Sequence, residues 1–157
     1  MPRKSLVFIA VLIFIDQVTK YIISYAFLPG SSLEILPFFR ITYATNTGIA
    51  FSMFQNSNTF FIIFALIVLA ALGFWYVKNY EKIPGIINVS LVLIFAGAFG
   101  NLIDRIFRGH VVDFLDFSIG SYHWPAFNAA DSCITIGGII LLITLLSAKK
   151  IDAPKER

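Results

Sequence analysis

Charge is what this 157-residue chain lacks most: 13% of its residues are Asp, Glu, Lys or Arg, about half the share of an ordinary soluble domain. Hydrophobic residues make up 58% and the mean hydropathy is +0.83, which excludes a free-standing soluble enzyme and points to one small membrane domain. Cysteine is almost absent. Cys133 alone, inside an apolar run, rules out an intramolecular disulfide, says nothing about redox compartment, and reads as a small apolar side chain. Histidine is nearly as scarce, with His110 and His123 only. His110 and Asp113 could share a helix face, but transition-metal sites gather more His or Cys ligands, so neither metal nor cofactor is expected. The formal net charge of +3 comes from scattered lysines and arginines rather than a basic helix face. It predicts membrane topology signals and no nucleic-acid partner.

What the chain has instead is long apolar runs. Residues 5–28 form the first, following a short basic start; no small-residue cleavage site follows it, so it reads as an uncleaved transmembrane helix rather than a removable signal. Residues 59–77 carry no charge and end on Trp75 and Tyr76, expected as interfacial aromatic anchors. Residues 83–103 follow, with Pro84 at the helix start where its missing N–H does no harm. Residues 132–148 form the fourth span. Ala96, Gly97 and Gly100 on the third span and Gly137-Gly138 on the fourth predict close helix approach. The expected fold is an all-α membrane protein, a four-transmembrane-helix bundle in one domain covering residues 1–157. A small extracytoplasmic β-element is expected between helices 1 and 2, since residues 33–45 are rich in Leu, Ile, Phe, Thr and Tyr. Arg3, Lys4, Lys78, Lys82, Lys149, Lys150, Lys155 and Arg157 fall on one side of this topology, and Arg40, Arg105 and Arg108 on the other. That bias puts both termini in the cytoplasm and both long connections at the outer face.

The polar residues concentrate in residues 100–131, which hold Asp104, Asp113, Asp116 and Asp131, four of the chain's nine carboxylates. Asp113 and Asp131 sit in apolar settings, and ionisable groups at membrane depth are functional candidates by default. Asp131 follows Asn128 at capping-box spacing, so helix capping alone would explain it. Asp113 has no such role, and Asp116 reads as a solvated loop residue. Asn101, Asp104 and Arg105 share a face of the third helix, where Arg105 and Asp104 could form a plain ion pair. Asp16 and Lys20 lie one turn apart in the first span, in the favourable order for an ion pair that locks helix packing. If Asp113 and Asp131 meet, they would share one proton and could hydrolyse an amide without a covalent intermediate. Spacing alone does not bring them together. A proton-relay transporter or channel subunit, and a structural adaptor whose acids only cap and pair, stay open on these grounds.

The strings Gly100-Asn101-Leu102-Ile103-Asp104-Arg105, Gly109-His110-Val111-Val112-Asp113-Phe114 and Phe127-Asn128-Ala129-Ala130-Asp131-Ser132 together resemble the bacterial lipoprotein signal peptidases (signal peptidase II). Asp16-Gln17-Val18-Thr19-Lys20 and Asn46-Thr47-Gly48-Ile49-Ala50-Phe51-Ser52 match two further motifs of that family in the right order. Ile49 stands where the family more often has Ala, and Ala96 where it often has Gly. The resemblance implies an aspartic endopeptidase with Asp113 and Asp131 catalytic. Asn46, Asn101, Arg105 and Asn128 are implied as a polar shell around dyad and substrate, and Asp16, Lys20, Gly48 and Asp104, which stand in the same motifs, are expected in that substrate-binding shell with them. It further implies cleavage of lipidated prolipoproteins just before a diacylglyceryl-modified cysteine, at the outer face of the bacterial cytoplasmic membrane. The partners are then the prolipoprotein and membrane lipids, with the enzyme expected to be a monomer.

Overall fold

The computed structural model describes residues 3–48, 57–120 and 122–151, without the side chains of His123 and of residues 148–151. Four helices in it are long and apolar enough to cross a membrane. They are α1 (Arg3–Ala26), α2 (Asn58–Asn79, followed by a 3-10 turn at Tyr80–Lys82), α3 (Gly85–Phe107) and α4 (Ala129–Ile151). Each differs by a few residues from the apolar run that predicts it: α2 and α4 extend past both ends of their runs, whereas α1 stops at Ala26 and α3 starts at Gly85, inside theirs. α3 is the central helix and packs against the other three.

Glycine sets the α3–α4 distance. A Cβ on Gly97 would collide with the Ala130 carbonyl, and one on Gly137 would stand 2.7 Å from the Ser90 carbonyl, whereas Gly138 has open space. Only Gly137 of that expected pair is therefore a close-approach residue. Ser90, fully buried, donates its hydroxyl to the Gly137 carbonyl at 2.7 Å, as small polar residues do between membrane helices. Tyr76 corrects the expected aromatic anchor: it is fully buried and donates its hydroxyl to Asn88, which Ser5 also contacts. Trp75, next to it, is 47% exposed. Adjacent helical residues point about 100° apart, so one of the two faces the bundle and the other faces out.

The β-element is larger than expected, since the connection after the third span also contributes. β1 (Ser32–Leu36), β2 (Phe39–Asn46), β3 (Val111–Ile119) and β4 (Tyr122–His123) form an antiparallel sheet in that order. Asp116 is accordingly no solvated loop residue. It lies opposite Arg40 in the β2–β3 register and accepts an ion pair from its guanidinium at 3.1 Å. β3 is buried at Val111, Val112, Asp113 and Phe114, packing with Ile23, Tyr43 and the end of α1. Beyond β4, Phe127 exchanges backbone hydrogen bonds with Leu115, at 2.8 and 3.1 Å. That exchange seats Asn128 and the first turn of α4 beside Asp113.

Candidate active site

Asp113 lies opposite Ala44 in the sheet, and Asn46 is two residues along β2 from Ala44. The two-residue period of a strand puts Asn46 and Asp113 on one face as diagonal neighbours, and Asn46 Nδ2 donates to Asp113 Oδ2 at 3.0 Å. Asn128 Nδ2 donates to Asp113 Oδ1 at 2.7 Å. Asp113 thus has two amide donors, which its Val-Val-Asp-Phe setting does not reveal because both come from distant sequence. Asp131 is capped as its spacing predicts: Asn128 N–H donates to Asp131 Oδ2 at 3.2 Å, and Asp131 N–H donates to Asn128 Oδ1 at 2.9 Å. Capping uses one carboxylate oxygen only. Oδ1 accepts from Asn101 Nδ2 at 2.7 Å, and both Asp113 and Asp131 line a cavity of about 630 Å³.

Three asparagines present their amide N–H groups to this acid pair, and each is oriented by a donor on its oxygen. Gly48 N–H donates to Asn46 Oδ1 at 2.9 Å, Asp131 N–H holds Asn128 Oδ1, and Lys20 Nζ donates to Asn101 Oδ1 at 2.9 Å. With its oxygen occupied by a donor, each amide keeps its NH2 toward a carboxylate. Buried amides supply dipoles but no charge. Burial raises the Asp113 pKa to about 7, helped by the negative charge of Asp131 and opposed by the Asn46 and Asn128 hydrogen bonds and by Lys20. One proton shared by the pair near neutral pH follows from that balance.

Behind the asparagines lies a closed ionic cluster. Lys20 is fully buried, with Nζ 2.9 Å from Asp16 and 3.0 Å from Asp104. Asp16 also accepts the Ala130 N–H at 2.9 Å, so a carboxylate on α1 caps the start of α4. Asp104 accepts the Val112 N–H at 3.2 Å and faces Arg108 at 3.5 Å. The cluster ties α1, α3 and α4 together and, through Asp104, β3. Asp16, Lys20 and Asp104, expected in the substrate-binding shell, stand behind the asparagines and do not line the cavity, whereas Gly48 does. Gln17 completes the cluster with hydrogen bonds to Asp16, Gly100 and Asp104. The sequence shows Gln17 only as part of the Asp16–Lys20 motif and gives it no role of its own, although an amide inside an apolar span was the available signal.

Arg105 corrects another expectation. Asp104 takes Lys20 and Arg108 as partners, while the Arg105 guanidinium turns toward the cavity. Its Nη2 donates to the Gly48 carbonyl at 2.8 Å, and its Cζ lies 4.8 Å from the Phe61 ring centroid. Nη1 is buried and has no hydrogen-bond partner among the described residues. Neighbouring helix positions do not face each other, which separates Asp104 from Arg105. The Ile49-Ala50-Phe51-Ser52 part of the second motif lies outside the described residues.

Paired carboxylates held by oriented amides thus border a cavity at one end of the helix bundle. The profile described as Signal peptidase (SPase) II matches residues 8–147. The chain belongs to the signal peptidase II family. Lipoprotein signal peptidases from Staphylococcus aureus strains JH9 and Newman are each 43% identical to it over 152 residues, covering 96% of this chain and 92% of theirs. A solved structure described as a bacterial membrane enzyme at 2.3 Å resolution superposes with a TM-score of 0.86 at 40% identity, covering 98% of this chain and 94% of that one. Another, described in the same words at 1.9 Å, gives a TM-score of 0.79 at 42% identity, with coverages of 91% and 92%. This signal peptidase II is thus a peptidase and a multi-pass bacterial membrane protein.

Proposed function

We propose that Asp113 and Asp131 are the catalytic pair of this signal peptidase II, acting on diacylglyceryl-modified prolipoproteins just before the lipidated cysteine. The observation that carries the reading is the meeting of the two acids at one cavity, with Asn128 bonded to both. In the resting pair the proton sits on Asp113, and Asp131, in the first turn of α4, is the base. Asp131 takes a proton from water as the water oxygen bonds to the scissile carbonyl carbon. Asp113 gives its proton to the carbonyl oxygen, which leaves a tetrahedral diol. On collapse the proton on Asp131 passes to the departing amide nitrogen as the C–N bond breaks. A diol hydroxyl returns its proton to Asp113, so acid and amine leave and the pair again holds one proton. Arg105 Nη1, unpartnered among the described residues, is a donor for a peptide carbonyl of the substrate, orienting the scissile bond.

Acyl chains are the main handle on the substrate, since each buried CH₂ contributes about 0.8 kcal/mol. The reading also places both termini in the cytoplasm and the cavity at the outer face, from the lysine and arginine bias, with the enzyme a monomer. The test is cleavage of a purified prolipoprotein, with and without its diacylglyceryl group, by the enzyme in lipid vesicles. Rapid cleavage of the lipidated form alone is expected, and equal turnover of both forms would overturn lipid recognition. A membrane-impermeant thiol reagent applied from outside is expected to label Glu34→Cys and not Glu81→Cys; the reverse pattern would invert the topology.

A further inference from the structure

At the other end of the bundle, remote from Asp113 and Asp131, a second cavity of about 430 Å³ opens between α2, α3 and α4. Its floor is α3 at Ile87 and Leu91, and Leu72 on α2 and Leu141 on α4 contribute to its walls. α2 and α4 both pack on α3 but make no substantial contact with each other. The cleft therefore faces the hydrocarbon sideways. Its polar lining is confined to the end of α2 and the following turn, at Asn79 and Lys82. Lys82 is exposed there.

We propose that this cleft is a binding site for an anionic phospholipid, with one acyl chain between α2 and α4 and the headgroup phosphate at Lys82. An apolar slot with a cation at its mouth matches an amphiphile with a long apolar tail and a negative head. Among the described residues this end of the bundle also carries Arg3, Lys4 and Lys78, against Glu81 as the acid. The same charge argues against two other occupants. A signal segment begins with a basic region, which Lys82 and Lys78 would repel, and a second copy of this chain would bring the same cations. Basic pockets between membrane helices are a recognised form of lipid headgroup site. The inference is independent of the catalytic reading, because no residue of this cleft lines the other cavity.

The test uses the full chain reconstituted in vesicles of equal phosphatidylglycerol and phosphatidylcholine, then released into mild detergent and weighed by native mass spectrometry. Phosphatidylglycerol is expected to be retained about fivefold more than phosphatidylcholine, the ratio equivalent to the ~1 kcal/mol of one lysine near an anionic surface. Lys82→Gln should remove that preference, and Leu141→Trp, which fills the slot, should remove both retained lipids. Lys78→Gln alters the same net charge outside the cavity and should leave the preference unchanged. Equal retention of the two lipids by the wild type would overturn the proposal, as would an equal effect of the two lysine changes. A photoreactive residue at position 141 should label phosphatidylglycerol. Labelling of a precursor's signal segment or of a second copy instead would assign the cleft to that occupant and overturn the lipid site.

Discussion

Two pairs of buried carboxylates stand within the same end of this bundle and are held in opposite ways. Asp16 and Asp104 enclose Lys20, with ion-pair distances of 2.9 and 3.0 Å. Their remaining bonds run to backbone N–H groups and to Gln17, and Asp104 also faces Arg108 at 3.5 Å. Among the described residues Asp113 and Asp131 have no cation in contact; amides and one backbone N–H hold them, and both border a cavity. Compensated charge fastens elements together. Uncompensated charge in an apolar setting must hold a proton, and a carboxyl pair that does so can pass it on. Within one polar layer, the placing of a single lysine separates a structural acid pair from a chemically poised one.

The sharpest way to break that comparison is to remove one carboxylate charge from the poised pair. Asp113→Asn and Asp131→Asn should each abolish cleavage of a lipidated precursor while the purified protein keeps its helical circular dichroism. The double variant should be no worse than either single one. Substantial cleavage by either single variant would end the dyad reading.

Removing the lysine should have the opposite signature. Lys20→Met leaves Asp16 without its cation and Asp104 with only the longer contact to Arg108, and breaking a buried pair costs about 3–5 kcal/mol. The expected result is a large fall in melting temperature, with activity lost as a consequence. A Lys20→Met protein that melts like the wild type would show that the cluster is not what fastens α1, α3 and α4.

Smaller, but more specific, is the pH response. The folded-state pKa of Asp113 is raised from 3.8 to about 7, so the native protein binds more protons than the unfolded chain between those values. Stability contributed by this group is therefore full below the unfolded pKa and is lost as pH rises through about 7. Asp113→Asn cannot lose a proton, so its melting temperature relative to the wild type should rise between pH 4 and pH 8 (about the span of that titration). Cleavage by the wild type should decline as pH passes about 7, where the Asp113 proton is lost. A stability difference independent of pH would remove the raised pKa from the account.

The smallest effect belongs to the sheet. Asp116 and Arg40 pair across β2 and β3 with side chains 15% and 27% exposed, and a pair that keeps access to water contributes about 1 kcal/mol at most. Asp116→Asn should lower the melting temperature slightly and leave the pH response of cleavage unchanged. A shift of that response would connect this pair to Asp113 through β3.

Composition and apolar run length were enough, before any coordinates, to determine a four-span membrane protein. A helix in hydrocarbon must satisfy its own backbone, so about twenty apolar residues in a row leave it no alternative. The capping relation of Asn128 to Asp131 was equally legible, because both partners lie within one turn of chain. Everything that depends on residues far apart was left to the tertiary structure. Asp113 meets Asn46 across 67 positions and Asn128 across 15, and Asp16 reaches Ala130 across 114. Tyr76 turns inward because Asn88 waits on α3. β3 exists as a strand because β2 offers it an unpaired edge. Hydrophobicity is a property of each residue and is read locally, whereas the partner of a buried polar group is decided by which helices and strands pack around it.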